Sequence, residues 1–257
     1  MEESEFINAD VFLKAFPAEY RKIDALVFDR PFKWYGGVSC PPPKNTRLII
    51  TGHSDYSITD HLVEKYRPGS WWGLNKETND PSVHSIPLGI VHVDPLYPNT
   101  AIMADLKPFM AVQKEPRQIR NLVYLNFSVH TYPQERQGVY SLFHSQPWVT
   151  IGSFDTSEGG RLAYLRDLRN HAFVLCPRGN GVDTHRMWET LYMGSIPIVR
   201  RHTAMEDFYD MPICFIDRWE EVTPEFLERE ALRIQGGSFN TAKLRASYWI
   251  QRMNVFR

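Results

Sequence analysis

Cysteine is scarce in this chain, and an excess of charge is missing altogether. The three cysteines, Cys40, Cys176 and Cys214, have neither paired nor metal-ligand spacing, and the last two lie in apolar runs where a thiol acts as a small hydrophobe; they are expected to be reduced. With 29 basic against 30 acidic side chains the formal net charge is −1, which supplies no general field for nucleic acid. Any affinity for phosphate must be local. No run approaches the ~20 apolar residues of a membrane span. The opening MEESEFINADVFLKAF has no basic region ahead of an apolar core, so it does not read as a signal peptide. A soluble protein of the cytoplasm is the expectation. The chain also lacks an Asp-x-Asp pair, the usual anchor for a divalent ion beside a diphosphate, and it carries no internal repeat, low-complexity tract or heptad run.

The chain is nonetheless 43% hydrophobic and 13% aromatic, enough to bury a core in one large or two small domains. The stretch from His171 to Arg200, HAFVLCPRGNGVDTHRMWETLYMGSIPIVR, organises it. Ala172 to Leu175 has the length and apolarity of a buried strand, and Pro177, Gly179 and Gly181 punctuate the residues after it. Asp183 or Thr184 can cap a helix running to about Tyr192, Gly194 ends it, and Ile196 to Val199 begin a second strand. The pattern predicts a parallel β-α-β unit. Its glycine-bearing loop would lie at the carboxyl edge of the sheet, where a helix N-terminus attracts anions. Arg186, in the first helical turn, opposes the helix dipole and needs a reason to be there, such as a bound phosphate. Glu189, three residues on, can share a face with Arg186 and suits a ribose diol. The loop is neither a P-loop, since no Gly-Lys-Ser/Thr comes after it, nor a complete G-x-G-x-x-G fingerprint.

These residues resemble the nucleotide-sugar-binding half of exostosin-like glycosyltransferases. That family's pattern is an apolar strand, Pro-Arg-Gly, a variable loop, Arg, then Glu-Ala-Leu, a Gly two residues further on, and Cys-Ile-Pro-Val. Here it reads Pro177-Arg178-Gly179, Arg186, Glu189-Thr190-Leu191, Gly194 and Ser195-Ile196-Pro197-Ile198, with Thr190 and Ser195 as small-for-small departures. The likeness is close over about thirty residues and looser from Leu122 to Ile216. It implies an α/β chain of GT-B type, two Rossmann-like domains facing a central cleft. The first would span residues 1–115 on the acceptor side. The second, 116–257, would bind the nucleotide sugar, its last helix crossing back. The resemblance also implies a UDP-sugar donor, a glycan acceptor, inversion at the anomeric carbon, and neither a cofactor nor an obligatory metal. By carry-over, Arg178 and Arg186 hold the diphosphate against Gly179, Asn180 and Gly181, and Glu189 holds the ribose. Known animal and plant members are generally membrane-anchored, so a soluble chain points to a bacterial or viral relative or an isolated catalytic region.

Elsewhere the pattern predicts two short helices within residues 9 to 30 and an extended connection from Phe32 to Lys44. Strands are expected at Leu48 to Thr51, Trp71 to Asn75, His84 to Val91, Arg120 to Phe127, Trp148 to Ile151 and Cys214 to Asp217. Helices are expected at Thr59 to Tyr66, Thr100 to Val112, Pro133 to Phe143, Gly159 to Arg169, Thr223 to Arg233 and Phe239 to Val255. Gly52-His53-Ser54-Asp55 comes directly after a buried strand, which places Asp55 first and His53 second as the base that deprotonates the acceptor, against the plainer reading of a capping turn. Trp71-Trp72 is core or an aromatic platform, Trp72 being the candidate for an acceptor sugar. His92-Val93-Asp94 and Arg200-Arg201-His202 are further polar strand ends. Two other readings compete: a nucleotide-binding module without transfer activity, and a phosphotransferase or hydrolase using His53 and Asp55.

Overall fold

The computed structural model describes residues 1–8, 11–12, 15, 44–52, 55–93, 97 and 99–254, with the backbone alone at 25–28. The apolar runs become the strands of parallel sheets. In chain order, β1 (Ala25–Phe28), β2 (Leu48–Thr51), β3 (Ile58–Thr59), β4 (Ser70–Gly73), β5 (Lys76–Glu77) and β6 (Val83–Ser85) come first. β3 and β5 pair with each other; the remaining four form a parallel sheet in the order β1-β2-β4-β6. The first strand falls where the sequence predicts helix. Val11, Phe12 and Ala15 are helical, as predicted there; the rest of that region and the connection from 32 to 43 lie outside the described residues.

The second sheet holds β7 (Asn121–Leu125), β8 (Val149–Ile151), β9 (His171–Leu175), β10 (Ile196–Arg200) and β11 (Cys214–Ile216), all parallel, in the order β11-β10-β9-β7-β8. Counted from β7, this is the doubly wound order 2-1-3-4-5. The chain leaves β7 toward β8 on one side and returns to β9 on the other, so a crevice opens beyond their carboxyl ends.

The helices are α1 (Asp60–Tyr66), α2 (Thr100–Ala104), α3 (Leu106–Lys114), α4 (Pro133–Phe143), α5 (Glu158–Arg169), α6 (His185–Tyr192), α7 (Pro224–Gly236) and α8 (Ala246–Asn254). The predicted single helix from Thr100 is two. Pro108 has no N–H to give to residue 104 and its ring would strike that carbonyl, so the chain breaks at Asp105, whose carboxylate caps α3 by accepting from the Lys107 N–H at 2.9 Å. The predicted terminal helix is likewise divided, into a 3-10 turn (Thr241–Leu244) and α8, with Arg245 extended between them. No described helix is long and apolar enough to cross a membrane.

One core joins the sheets. Trp188 of α6 meets Phe208 edge-on at 5.3 Å, and Phe208 meets Trp249 of α8 at 5.7 Å. Arg252, one turn further along α8, lies over the Trp72 ring of β4 at 5.4 Å. The N-terminal segment is tied in where the Ile7 N–H donates to the Tyr192 hydroxyl at 3.0 Å. α3 packs on α5, with the Arg161 guanidinium 4.8 Å from the Phe109 ring.

Candidate functional site

The β-α-β unit forms as the local pattern predicts. β9 and β10 run parallel, Thr184 takes the cap position with its hydroxyl accepting from the Met187 N–H at 3.4 Å, and Gly194 ends the helix between them at φ 79°. A cavity of about 450 Å³ lies at the crevice beyond β7 and β9. Its walls include Asn126 to Ser128 after β7 and Gly179 to Gly181 after β9; Asp55 reaches it from the segment after β2 and Asn75 from the bend between β4 and β5.

The loop after β9 is held by partners the sequence did not single out. Asn75 presents its side-chain oxygen to the Val182 N–H at 2.8 Å, and its amide crowds Gly181 so closely that a Cβ there would collide. Asn75 thus leaves no room for a side chain at position 181. The Gly179 N–H is committed to the Gly181 carbonyl at 3.0 Å. Arg136 of α4 lies behind the loop and donates to the carbonyls of Arg178 at 2.8 Å and Ser128 at 2.9 Å, stapling the two sides of the crevice together.

Arg178 does not enter the cavity, contrary to expectation. Its Nη2 donates to the Asn180 carbonyl at 2.9 Å and its guanidinium lies 4.5 Å from the Tyr132 ring, so the side chain folds onto its own loop. The arginines on the cavity wall besides Arg186 are Arg136 and Arg161. Burial, and then the neighbouring Arg186, push the Arg136 guanidinium down to about 10. Arg186 does line the cavity. It is half-buried over the Phe127 ring at 5.9 Å, and its Nε is buried with no acceptor.

Glu189 also lines the cavity, but its ionic partner is Arg161 and not Arg186. It is 2% exposed; Arg161 of α5 pairs with it at 2.9 Å, and the Tyr164 hydroxyl donates to it at 2.7 Å. Burial alone would raise its carboxyl, but Arg161, Tyr164 and His185 outweigh burial and hold it below the usual range. Arg136 and Arg161 were missed because each sits in a helix whose charged positions read as solvent-facing. A signal was present: Arg136 shares a buried stripe with Val139 and Phe143, and Arg161 with Leu165 and Leu168. A cation on an apolar stripe needs a buried partner.

Asp183, beside the cap, bridges the loop to the segment after β6. It accepts from Trp188 Nε1 at 2.8 and 2.9 Å and from the Leu88 N–H at 2.8 Å. Burial raises its carboxyl to about 7 in spite of these donors. The folded state therefore holds a proton that the unfolded chain, with its ordinary carboxyl near 3.8, has lost, and stability falls as pH rises from about 4 to about 7. Wild type should lose up to ~1.4 kcal/mol per pH unit more than Asp183→Asn across that window in urea titrations. Parallel pH profiles for the two proteins would contradict this.

Of the remaining expected site residues, Asp55 is exposed at the cavity wall, while His53 and Asp94 lie outside the described residues. Trp72 is 1% exposed and packs into the core, so it offers no face to an acceptor sugar; that expectation is corrected. The cations at the end of β10 have other partners: Arg200 pairs with Glu135 at 3.2 Å and Arg201 with Asp217 at 3.6 Å. Among the described residues no group of three His, Cys, Asp or Glu side chains is placed to hold a metal ion. Comparison of the chain with protein-family models and with curated protein sequences finds no match.

Proposed function

We propose that this chain is a glycosyltransferase of exostosin-like type, with a two-domain GT-B arrangement, a UDP-sugar as donor and a glycan hydroxyl as acceptor. The observation that carries the reading is Arg186: a half-buried guanidinium at the start of α6, facing a cavity at the switch point of a parallel sheet, with its Nε unsatisfied. A diphosphate in that cavity would meet Arg186 and the α6 N-terminus, with Arg136 behind them and Glu189 one turn deeper for the ribose. Asp55 reaches the same cavity from the other sheet's side. In the reaction its carboxylate takes the proton of the acceptor hydroxyl as that oxygen attacks the anomeric carbon. The bond from that carbon to the β-phosphate oxygen breaks, configuration inverts, and the charge released on the nucleoside diphosphate is neutralised by Arg186 without the help of an ion.

A thermal-shift screen of uridine, guanosine and adenosine diphosphates, each with and without magnesium, tests donor binding directly. The preferred diphosphate should raise the melting temperature equally in both conditions. Asp55→Asn then separates an enzyme from a binding module. Turnover should fall about a hundredfold while the diphosphate Kd stays within about twofold. A module without transfer activity would show no turnover in either protein.

A further inference from the structure

The loop from Gly152 to Ser157, between β8 and α5, carries Phe154 at the cavity wall with 81% of its surface exposed. No other large hydrophobic among the described residues is as exposed. A single phenyl group on a loose loop would be unremarkable, but this loop is fixed on both sides of the ring. On the near side the Gly152 N–H donates to the Leu125 carbonyl at 2.8 Å, and Asn126 Nδ2 donates to the Ser153 carbonyl at 3.1 Å. Gly152 also lies so close to the Tyr124 hydroxyl that no side chain would fit there. On the far side Asp155 Oδ1 accepts from the Ser157 N–H at 2.8 Å, Ser157 Oγ accepts from the Gly160 N–H at 3.0 Å, and Gly160 leaves room for Asp155 that a Cβ would fill. The backbone is held while the ring is left uncovered, at the cost of apolar exposure.

The ring stands on the wall of the same cavity as Arg186 and Glu189. Phosphates at Arg186 place the ribose at Glu189, one helical turn on. Glu189 is bound by Arg161 and Tyr164, both on α5. The next group beyond the ribose therefore points toward the loop that leads into α5, where Phe154 stands. We infer that Phe154 is the platform on which the base of the bound nucleoside diphosphate stacks. The inference rests on the nucleotide-sugar reading above. Every base offers a π face, so the platform contributes affinity and orientation while leaving base identity to other groups.

Calorimetric titrations of wild type, Phe154→Ala and Phe154→Trp with uridine, guanosine and adenosine diphosphates, and with inorganic pyrophosphate, test it. Phe154→Ala should weaken the tightest-binding diphosphate about tenfold, Phe154→Trp should restore it, and pyrophosphate should bind all three proteins alike. Equal affinity of wild type and Phe154→Ala for that diphosphate overturns the platform and leaves the nucleotide reading standing. An equal loss for pyrophosphate overturns the platform as well, since the defect then lies in the loop. Wild type binding none of the three nucleotides overturns both. Because the ring is exposed, circular dichroism and melting temperature should be unchanged in both variants.

Discussion

Arg186→Met is expected to lower kcat/KM about 10³-fold and to leave the protein at least as stable as wild type. The two halves of this expectation have one cause. A cation in the first turn of a helix opposes the dipole by roughly 0.3–1 kcal/mol. A buried donor without an acceptor costs a further ~1–3 kcal/mol. Both penalties are present at Arg186, whose Nε has no acceptor and whose nearest acidic residue along the helix, Glu189, is bound by Arg161 instead. Methionine keeps the apolar stem over Phe127 and removes the charge. A residue that burdens the fold and is indispensable for turnover is held for its ligand. Thermal unfolding beside transfer kinetics checks both halves: a variant that is less stable yet fully active would make Arg186 a structural residue.

The second large effect falls on stability. Arg161→Met is expected to destabilise the protein by about 3–5 kcal/mol, because it strands the buried Glu189 carboxylate without its paired guanidinium, leaving the Tyr164 hydroxyl and the nearby His185. The double variant Arg161→Met/Glu189→Met removes both charges from a site already walled by Phe109 and Tyr164, and should recover most of that loss. Urea unfolding of the single and double variants forms the cycle. Additive losses would show that the two side chains are not coupled. If Glu189 holds the ribose, the double variant should regain stability without regaining nucleotide affinity, which separates the two roles of this carboxylate.

How much of this was legible in the sequence depended on how local the signal was. The unit from β9 to β10 could be read because each step lies within thirty residues: an apolar run, a glycine-punctuated loop, a threonine cap, a glycine stop. The direction of Arg178 could not be read, since it is set by a ring from the loop after β7, Tyr132, and by a carbonyl of its own loop. The true partner of Glu189 could not be read either, because it requires α5 to pack beside α6. Trp72 was ambiguous for a related reason. A tryptophan on a parallel strand is core when both faces of the sheet are covered, and the covering here comes from α8, nearly two hundred residues away in the chain. The break at Asp105 was legible in principle from Pro108, and helical spacing alone concealed it.

The claim beneath the functional reading is that a guanidinium and a helix N-terminus hold the diphosphate unaided by an ion. Titration of uridine, guanosine and adenosine diphosphates into wild type and Arg186→Met, in buffer containing a chelator, measures it most directly. At least one diphosphate should bind wild type with the same Kd as in magnesium and bind Arg186→Met at least tenfold more weakly. Binding that disappears with the chelator, or that is the same in both proteins, would contradict it.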